Sequence, residues 1–447
     1  MKVMKWSAIA LAVSAGSTQL AMAEPFVGNQ ADAKGFVEDS SLNFLVRNYY
    51  FNRNNYNGSH DSKDWTQGFW ANYNSGFTQG TVGFGVDAFG YLGIKLDGGR
   101  GTTGTGNLPV ENDGRPADDY GKAGAAVKIR VSKTELKAGD MQPANPVFAV
   151  GGTRLVPQTA SGFNLMSSEI DGLDVEAGHF YSSTSQTTTA RDGELYANYA
   201  GAPAKTADFI GGKYAFSDNF TASLYGSKLE DIWNQYYANL NYTLAIAENQ
   251  SLGLDFNYYN TQDEGKSLAG DINNNTFSLA AAYTLSAHTF TLAFQKVNGN
   301  TPFDYLGVGG QEGDRNGNKG GDSIFLANSV QYSDFNGPGE KSWQARYDLN
   351  MAEYGVPGLT FMTRYVKGYD IDGSNAPTNG QYSYAGLYGD DDKHHETNVE
   401  AKYVIQEGPA KDLSFRIRQA WHRANSTQLD GDADEFRLIV DYPLSVL

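Results

Sequence analysis

From about residue 40 onward, apolar and polar residues alternate strictly over runs of roughly ten, each ended by a short turn or a longer polar insertion. Period-two alternation marks a β-strand with two unlike faces. Phe277, Leu279, Ala281, Tyr283 and Leu285 share one face, opposite Ser278, Ala280, Ala282 and Thr284. After Ser286–His288 the phase resumes in Phe290, Leu292 and Phe294, with Thr289, Thr291 and Gln295 opposed. These two runs predict a hairpin with one apolar and one polar side. A second hairpin sets Tyr242, Leu244 and Ile246 beside Leu252, Leu254, Phe256 and Tyr258, with its turn at Ala247–Gln250. Its reverse face carries Asn241, Thr243, Asp255 and Asn257.

Alternation alone fits a soluble sandwich as well as a membrane barrel. The amino terminus separates them. Lys2 and Lys5 precede a small apolar run, Ala8 to Ala15, and then Ala21-Met22-Ala23. Residues 1–23 therefore read as a cleaved secretory signal, and 24–447 as one mature domain. Tyr and Trp at strand ends suit a membrane interface. No later stretch approaches the roughly 18 apolar residues of a spanning helix, so the bilayer is open only to a closed barrel. The chain has no cysteine, which removes disulfides and thiolate metal sites.

Without the signal the chain keeps 32 basic against 51 acidic residues, a net charge of −19, which repels nucleic acid. Long insertions rich in Gly, Asn and Asp fall at 94–119, 140–164, 261–274, 298–322 and 367–394, alternating with short turns. Short turns at one end and long loops at the other are how an outer-membrane barrel is built. At roughly 23 residues per strand and connection, the mature chain holds about 18 strands. The expectation is an all-β, antiparallel transmembrane β-barrel, integral to the outer membrane of a Gram-negative bacterium. A lumen that wide is not filled by wall side chains alone.

The last strands carry the sharpest chemistry. Leu413, Phe415, Ile417, Gln419 and Trp421 oppose Arg416, Arg418 and His422, while Phe436, Leu438, Val440 and Tyr442 oppose Arg437, Ile439 and Asp441. Ala401, Tyr403 and Ile405 likewise set Lys402 on the other face. A cation at mid-bilayer costs about 2–4 kcal/mol, so Lys402, Arg416, Arg418 and Arg437 must point into the lumen as one basic stripe. Phe44 and Val46 oppose Arg47, which closure brings beside the stripe; Val127, Ile129 and Val131 oppose Lys128 and Arg130. Cations clustered in so acidic a chain would guide anions.

The six histidines form no nucleophile elbow and no H-E-x-x-H zinc motif, and no cofactor motif is present. His394-His395-Glu396, beside Asp390 to Asp392, reads as solvated loop polarity. Asp430-Gly431-Asp432-Ala433-Asp434 lacks the twelfth-position glutamate of a calcium loop. A channel for small polar solutes is favoured over an outer-membrane hydrolase, with monomer and homotrimer both open.

The segments Ser40–Phe51 (SSLNFLVRNYYF), Val82–Asp97, Val131–Asp140, Arg154–Gly162, Gly321–Trp343 and Phe436–Leu447 together resemble the OprD-type substrate-specific porins, most closely those called OprE. The resemblance covers essentially the whole mature chain. It implies an 18-stranded barrel narrowed by two inward-folded loops, with a basic ladder on one wall and an acidic pocket opposite. The ladder falls on Lys402, Arg416, Arg418 and Arg437, the residues that alternation already turns inward. It continues in the family two residues past Arg437, where this chain has Ile439. The folded loops correspond to about 140–164, with Asp140 and Arg154, and to about 298–336, where the pocket maps onto Asp322, Ser329, Tyr332 and Asp334. The resemblance implies passive passage of small polar solutes, carboxylate-bearing nutrients such as amino acids among them.

Overall fold

The computed structural model describes residues 26–447, so the expected signal at 1–23 lies outside the described residues. Eighteen antiparallel strands form one sheet. In chain order they are β1 Ser41–Asn55, β2 Ser62–Asn74, β3 Val82–Asp97, β4 Asp119–Val131, β5 Thr134–Met141 and β6 Thr159–Ile170. Next come β7 Leu173–Thr184, β8 Ala207–Ser217, β9 Phe220–Leu229, β10 Trp233–Ala247, β11 Gln250–Asp263 and β12 Asn273–Leu285. The last six are β13 His288–Asn298, β14 Lys341–Asn350, β15 Leu359–Ile371, β16 Asp392–Val404, β17 Ser414–Ala424 and β18 Ala433–Ser445. Each pairs with its neighbour in sequence, and β1 closes the barrel on β18 from Asn43 opposite Ser445 to Asn55 opposite Ala433. Closure leaves no sheet edge, the condition for a sheet to cross a bilayer.

The two faces are inverted relative to a soluble protein. Ile210, Leu224 and Leu292 are 68–69% exposed on the outside, whereas Thr276, Ser278 and Gln295 are fully buried inside. A wide apolar outer surface with a polar interior places the barrel wall in lipid. Five connections at one end are two-residue turns, at 132–133, 171–172, 218–219, 248–249 and 286–287. The other end carries the long connections, at 98–118, 142–158, 185–206, 299–340 and 372–391.

The 142–158 and 299–340 connections fold into the lumen, as expected. A small hairpin, Ala144–Asn145 with Phe148–Ala149, starts the first. The Tyr259 hydroxyl on β11 donates to Pro146 O at 3.0 Å and accepts from Phe325 N at 3.0 Å, so one side chain holds both loops. Across the lumen, Trp70 Nε1 on β2 donates to Leu155 O at 2.7 Å. Gly68 and Gly93 make the seat for that crossing: a Cβ at either would lie 2.9–3.0 Å from a Leu155 methyl.

The connections depart from the sequence expectations in three places. The 185–206 connection was not among the expected insertions; its Leu195–Ala197 pairs with Pro203–Ala204 and with Leu306–Val308 of the longest loop. That loop runs on to residue 340 rather than ending near 322. The turn expected at Ala247–Gln250 shrinks to Glu248–Asn249, with a bulge between Ala245 and Ala247.

Candidate functional site

Strand register builds the basic wall. Phe51, Arg437, Arg418, Glu400 and Met362 stand opposite one another in a row across β1, β18, β17, β16 and β15. The next row toward the short turns is Tyr49, Ile439, Arg416, Lys402 and Thr360. One row further, Arg47 faces Asp441. Parity fixes this arrangement: Phe415, Ile417 and Trp421, the alternate residues of β17, are exposed on the outer surface.

Carboxylates on the same wall accompany the cations. Arg416 Nη2 and Arg418 Nε lie 2.8 and 3.0 Å from a single oxygen, Glu400 Oε2. Arg437 Nε donates to Glu435 Oε1 at 2.6 Å, and Arg53 Nε to Glu435 Oε2 at 2.7 Å. Arg47 Nε donates to Asp441 Oδ1 at 2.8 Å. No carboxylate lies within ion-pair distance of Lys402 among the described residues. Arg346, paired with Asp348, and Arg364, which donates to Asn398 Oδ1 at 2.6 Å, extend the wall to β14 and β15. Sequence reasoning singled out none of Arg53, Arg346, Arg364, Glu400 and Glu435. The signal was available, since Glu400 and Glu435 share the parity of Lys402 and Arg437.

Ile439 interrupts the second row. It is buried in a cluster with Tyr49, Phe51, Leu155 and Val156, where the 142–158 loop meets the wall. Arg47 Nη1 donates to Arg154 O at 2.7 Å and fixes that meeting. The Arg154 guanidinium lies 5.3 Å from the Phe51 ring centre, and those of Arg53 and Arg437 lie 5.3 and 5.5 Å from the same ring. Burial, and then the charge of Arg437, lower its pKa from the ordinary value. Arg154 thus stands on the basic wall. Arg130 is remote from it, three strands beyond β1 on β4: its Nε donates to Gln30 Oε1 at 3.0 Å and its guanidinium lies 4.0 Å from the Phe77 ring centre.

The loop acids lie in the 299–340 connection. Asp322 N donates to Ala149 O at 2.9 Å, tying it to the other loop, while its carboxylate stays solvent-accessible within the lumen. The dense protein around it pushes its pKa up to about 6, opposed by the hydrogen bond from Gly152 N at 3.4 Å and by Arg154, with Asp334 adding to the rise. Asp334 accepts from Ser329 Oγ at 2.6 Å, Tyr199 OH at 2.7 Å and Tyr305 OH at 3.2 Å. Tyr332 turns the other way, its ring 4.9 Å from the Arg53 guanidinium and its N–H donating to Glu396. Asp140 accepts from Ser161 and pairs with Arg191, so it ties β5 to β6 and to the 185–206 loop.

His394 corrects the expectation of solvated loop polarity. β16 begins at Asp392, so His394 falls on the inward face, 2% exposed. It bonds His422 at 2.9 Å and Glu340 at 2.8 Å. No Ser or Thr hydroxyl is bonded to a histidine among the described residues.

The lumen thus holds a cationic wall and, on the 299–340 connection, loop carboxylates, and two pinned loops fold into it. Comparison with known proteins agrees with the 18-stranded barrel. The family model for outer membrane porins of the OprD family matches residues 34–446. The chain is 70% identical to Porin D of Pseudomonas aeruginosa over 450 residues, covering all of both chains. It is 38% identical to the Porin-like protein GalP of Pseudomonas putida, covering 94% of this chain and 95% of that one. The crystal structure of Pseudomonas aeruginosa OprD superposes with a TM-score of 0.82 at 64% identity, covering 95% of this chain and 100% of that one. OpdK of the same species, crystallised with vanillate, gives 0.80 at 33% identity, covering 92% and 100%. The chain belongs to the OprD family of substrate-specific outer-membrane porins.

Proposed function

We propose that this porin favours small carboxylate-bearing solutes, amino acids among them, handing the carboxylate along Arg437, Arg418, Arg416 and Lys402 while Asp322 and Asp334 attract a cationic end. The observation that carries this reading is the row structure of the wall. Lys402, Arg416 and Arg418 occupy adjacent inward positions with Glu400 as the one acid among them. That surplus of positive charge stands in a chain whose net charge is −17.

A carboxylate leaving water loses hydration worth several kcal/mol, which a single deep site would replace at the expense of trapping the solute. Inward residues two apart on a strand are about 6.6 Å apart, and neighbouring strands about 4.8 Å. A carboxylate can therefore reach the next cation before leaving the last. The planar fork of arginine adds two parallel hydrogen bonds at each step. The relative crystallised with vanillate, an aromatic carboxylate, supports the solute class.

Uptake into proteoliposomes tests the reading. A small amino acid or monocarboxylate should enter faster than a neutral sugar of similar size. Equal rates would show a pore that selects by size alone.

A further inference from the structure

Asp441 and Asp348 are each paired with one arginine, whereas one oxygen of Glu400 serves two, and Glu400 also differs from Glu435. Glu435 is fully buried, gripped by Arg437 and Arg53, and approached by Gln331 Nε2 at 3.3 Å, so no solute reaches it. Glu400 keeps 14% of its side chain open to the lumen and presents one oxygen to two arginines. Its partner Arg416 is open on 38% of its side chain. A solute carboxylate arriving at Arg416 therefore meets a guanidinium already engaged by a carboxylate that can release it.

Resting on the carboxylate reading above, we propose that Glu400 is a specificity-determining residue: an internal competitor that limits how tightly the Arg416–Arg418 step holds a solute carboxylate. Two guanidiniums two residues apart on one strand repel one another and, with no anion, form a deep anion site. Glu400 fills that site when it is empty. When a solute carboxylate binds, it takes over the Arg416 hydrogen bond and the Arg418 ion pair from Glu400, and when it leaves, Glu400 takes them back. Neither arginine is stripped of a partner at any stage, so the barrier to release falls along with the affinity. Lys402, opposite Arg416 and free of a carboxylate among the described residues, then receives the solute. The arrangement exchanges affinity for throughput, which a diffusion channel needs.

The test is the dwell time of a small carboxylate, such as acetate or glycine, seen as brief interruptions of single-channel current. Glu400→Gln keeps the volume and a hydrogen-bond acceptor but removes the charge. The dwell should lengthen about threefold if the lumen screens like bulk water, and up to about a hundredfold if it screens like a protein surface. Glu400→Asp keeps the charge and shortens the reach, and its dwell should stay near that of the unaltered protein. A role limited to holding the arginines in place would show the opposite pattern, mild for Gln and severe for Asp, and would overturn the proposal. So would an unchanged dwell in Glu400→Gln, or the failure of both variants to form channels. If the unaltered porin shows no carboxylate interruptions, the carboxylate reading itself fails; if it shows them and Gln leaves them unchanged, only the role of Glu400 fails.

Discussion

Replacing Arg416 and Arg418 together by Ala should do more than delete two contacts, because it reverses the sign of that step. Arg416, Arg418 and Glu400 carry a net charge of +1, with both arginines on one Glu400 oxygen. The double variant leaves Glu400 alone, a net −1. A solute carboxylate about 6 Å away feels each unit of charge by about 0.7 kcal/mol in bulk water and about 2.8 kcal/mol at an effective dielectric constant near 20. Two units amount to about 1.4–5.5 kcal/mol, or about tenfold to ten-thousandfold in occupancy. The lumen is wet, which places the effect toward the lower end. Adding Glu400→Gln brings the step to zero charge and should recover about half of the lost free energy. Uptake of a small carboxylate by proteoliposomes, with the folded fraction of each variant matched by circular dichroism, should therefore rank the unaltered protein first, the triple variant second and the double variant last. A neutral sugar of similar size should not follow that order. If the sugar slows in parallel with the carboxylate, the arginines shape the pore and nothing more; a triple variant slower than the double would refute the electrostatic reasoning.

The acidic side and the loop pins give two further expectations. Asp322→Asn with Asp334→Asn should reduce cation selectivity, read as a shift of reversal potential in a salt gradient. Because the Asp322 pKa is raised to about 6, its charge is present above that pH and lost below it, so acidification from pH 7 to 5 should shift the unaltered protein in the same direction. The double Asn variant should show less of this shift, and an equal shift would place the titrating group elsewhere. The same raised value means that ionising Asp322 opposes folding, with stability lost as pH rises from about 4 through 6. Tyr259→Phe removes the hydroxyl that serves both Pro146 O and Phe325 N, leaving two buried loop groups without partners at about 1–3 kcal/mol each. Its channels should be noisier and wider, and an unchanged conductance would mean that the other loop contacts suffice.

Much of the wall was legible because parity is a rigid rule: once Phe415 and Ile417 face lipid, Arg416 and Arg418 have nowhere to point but inward. The same rule reaches Glu400 and Glu435, which alternation places beside Lys402 and Arg437; attention to cations alone passed over them. Contacts between segments distant in sequence were not legible. Nothing local to Pro146 or Phe325 shows that Tyr259 will hold both, and nothing local to Gly68 and Gly93 shows that Leu155 will sit against them. The 185–206 connection escaped for a related reason. Its Leu195-Tyr196-Ala197 run forms a short strand, but its partner, Leu306–Val308, is more than a hundred residues away. His394 was misread because three aspartates precede it. The strand begins at the last of them, and from there parity carries His394 inward to His422. The resemblance, in turn, put Asp322, Ser329, Tyr332 and Asp334 in one pocket, and the structure turns Tyr332 out of it, against Arg53.

The central claim is that the basic wall engages solutes through their carboxylate. The most direct measurement is single-channel recording with a matched pair of solutes, a small carboxylic acid as its anion and the neutral amide of the same acid, each added at equal concentration. The two have nearly the same size and shape and differ in the charge of one group. The anion should produce resolved interruptions of the current that lengthen in Glu400→Gln and vanish in Arg416→Ala with Arg418→Ala, while the amide produces none. Interruptions of equal frequency and length from anion and amide would contradict the claim.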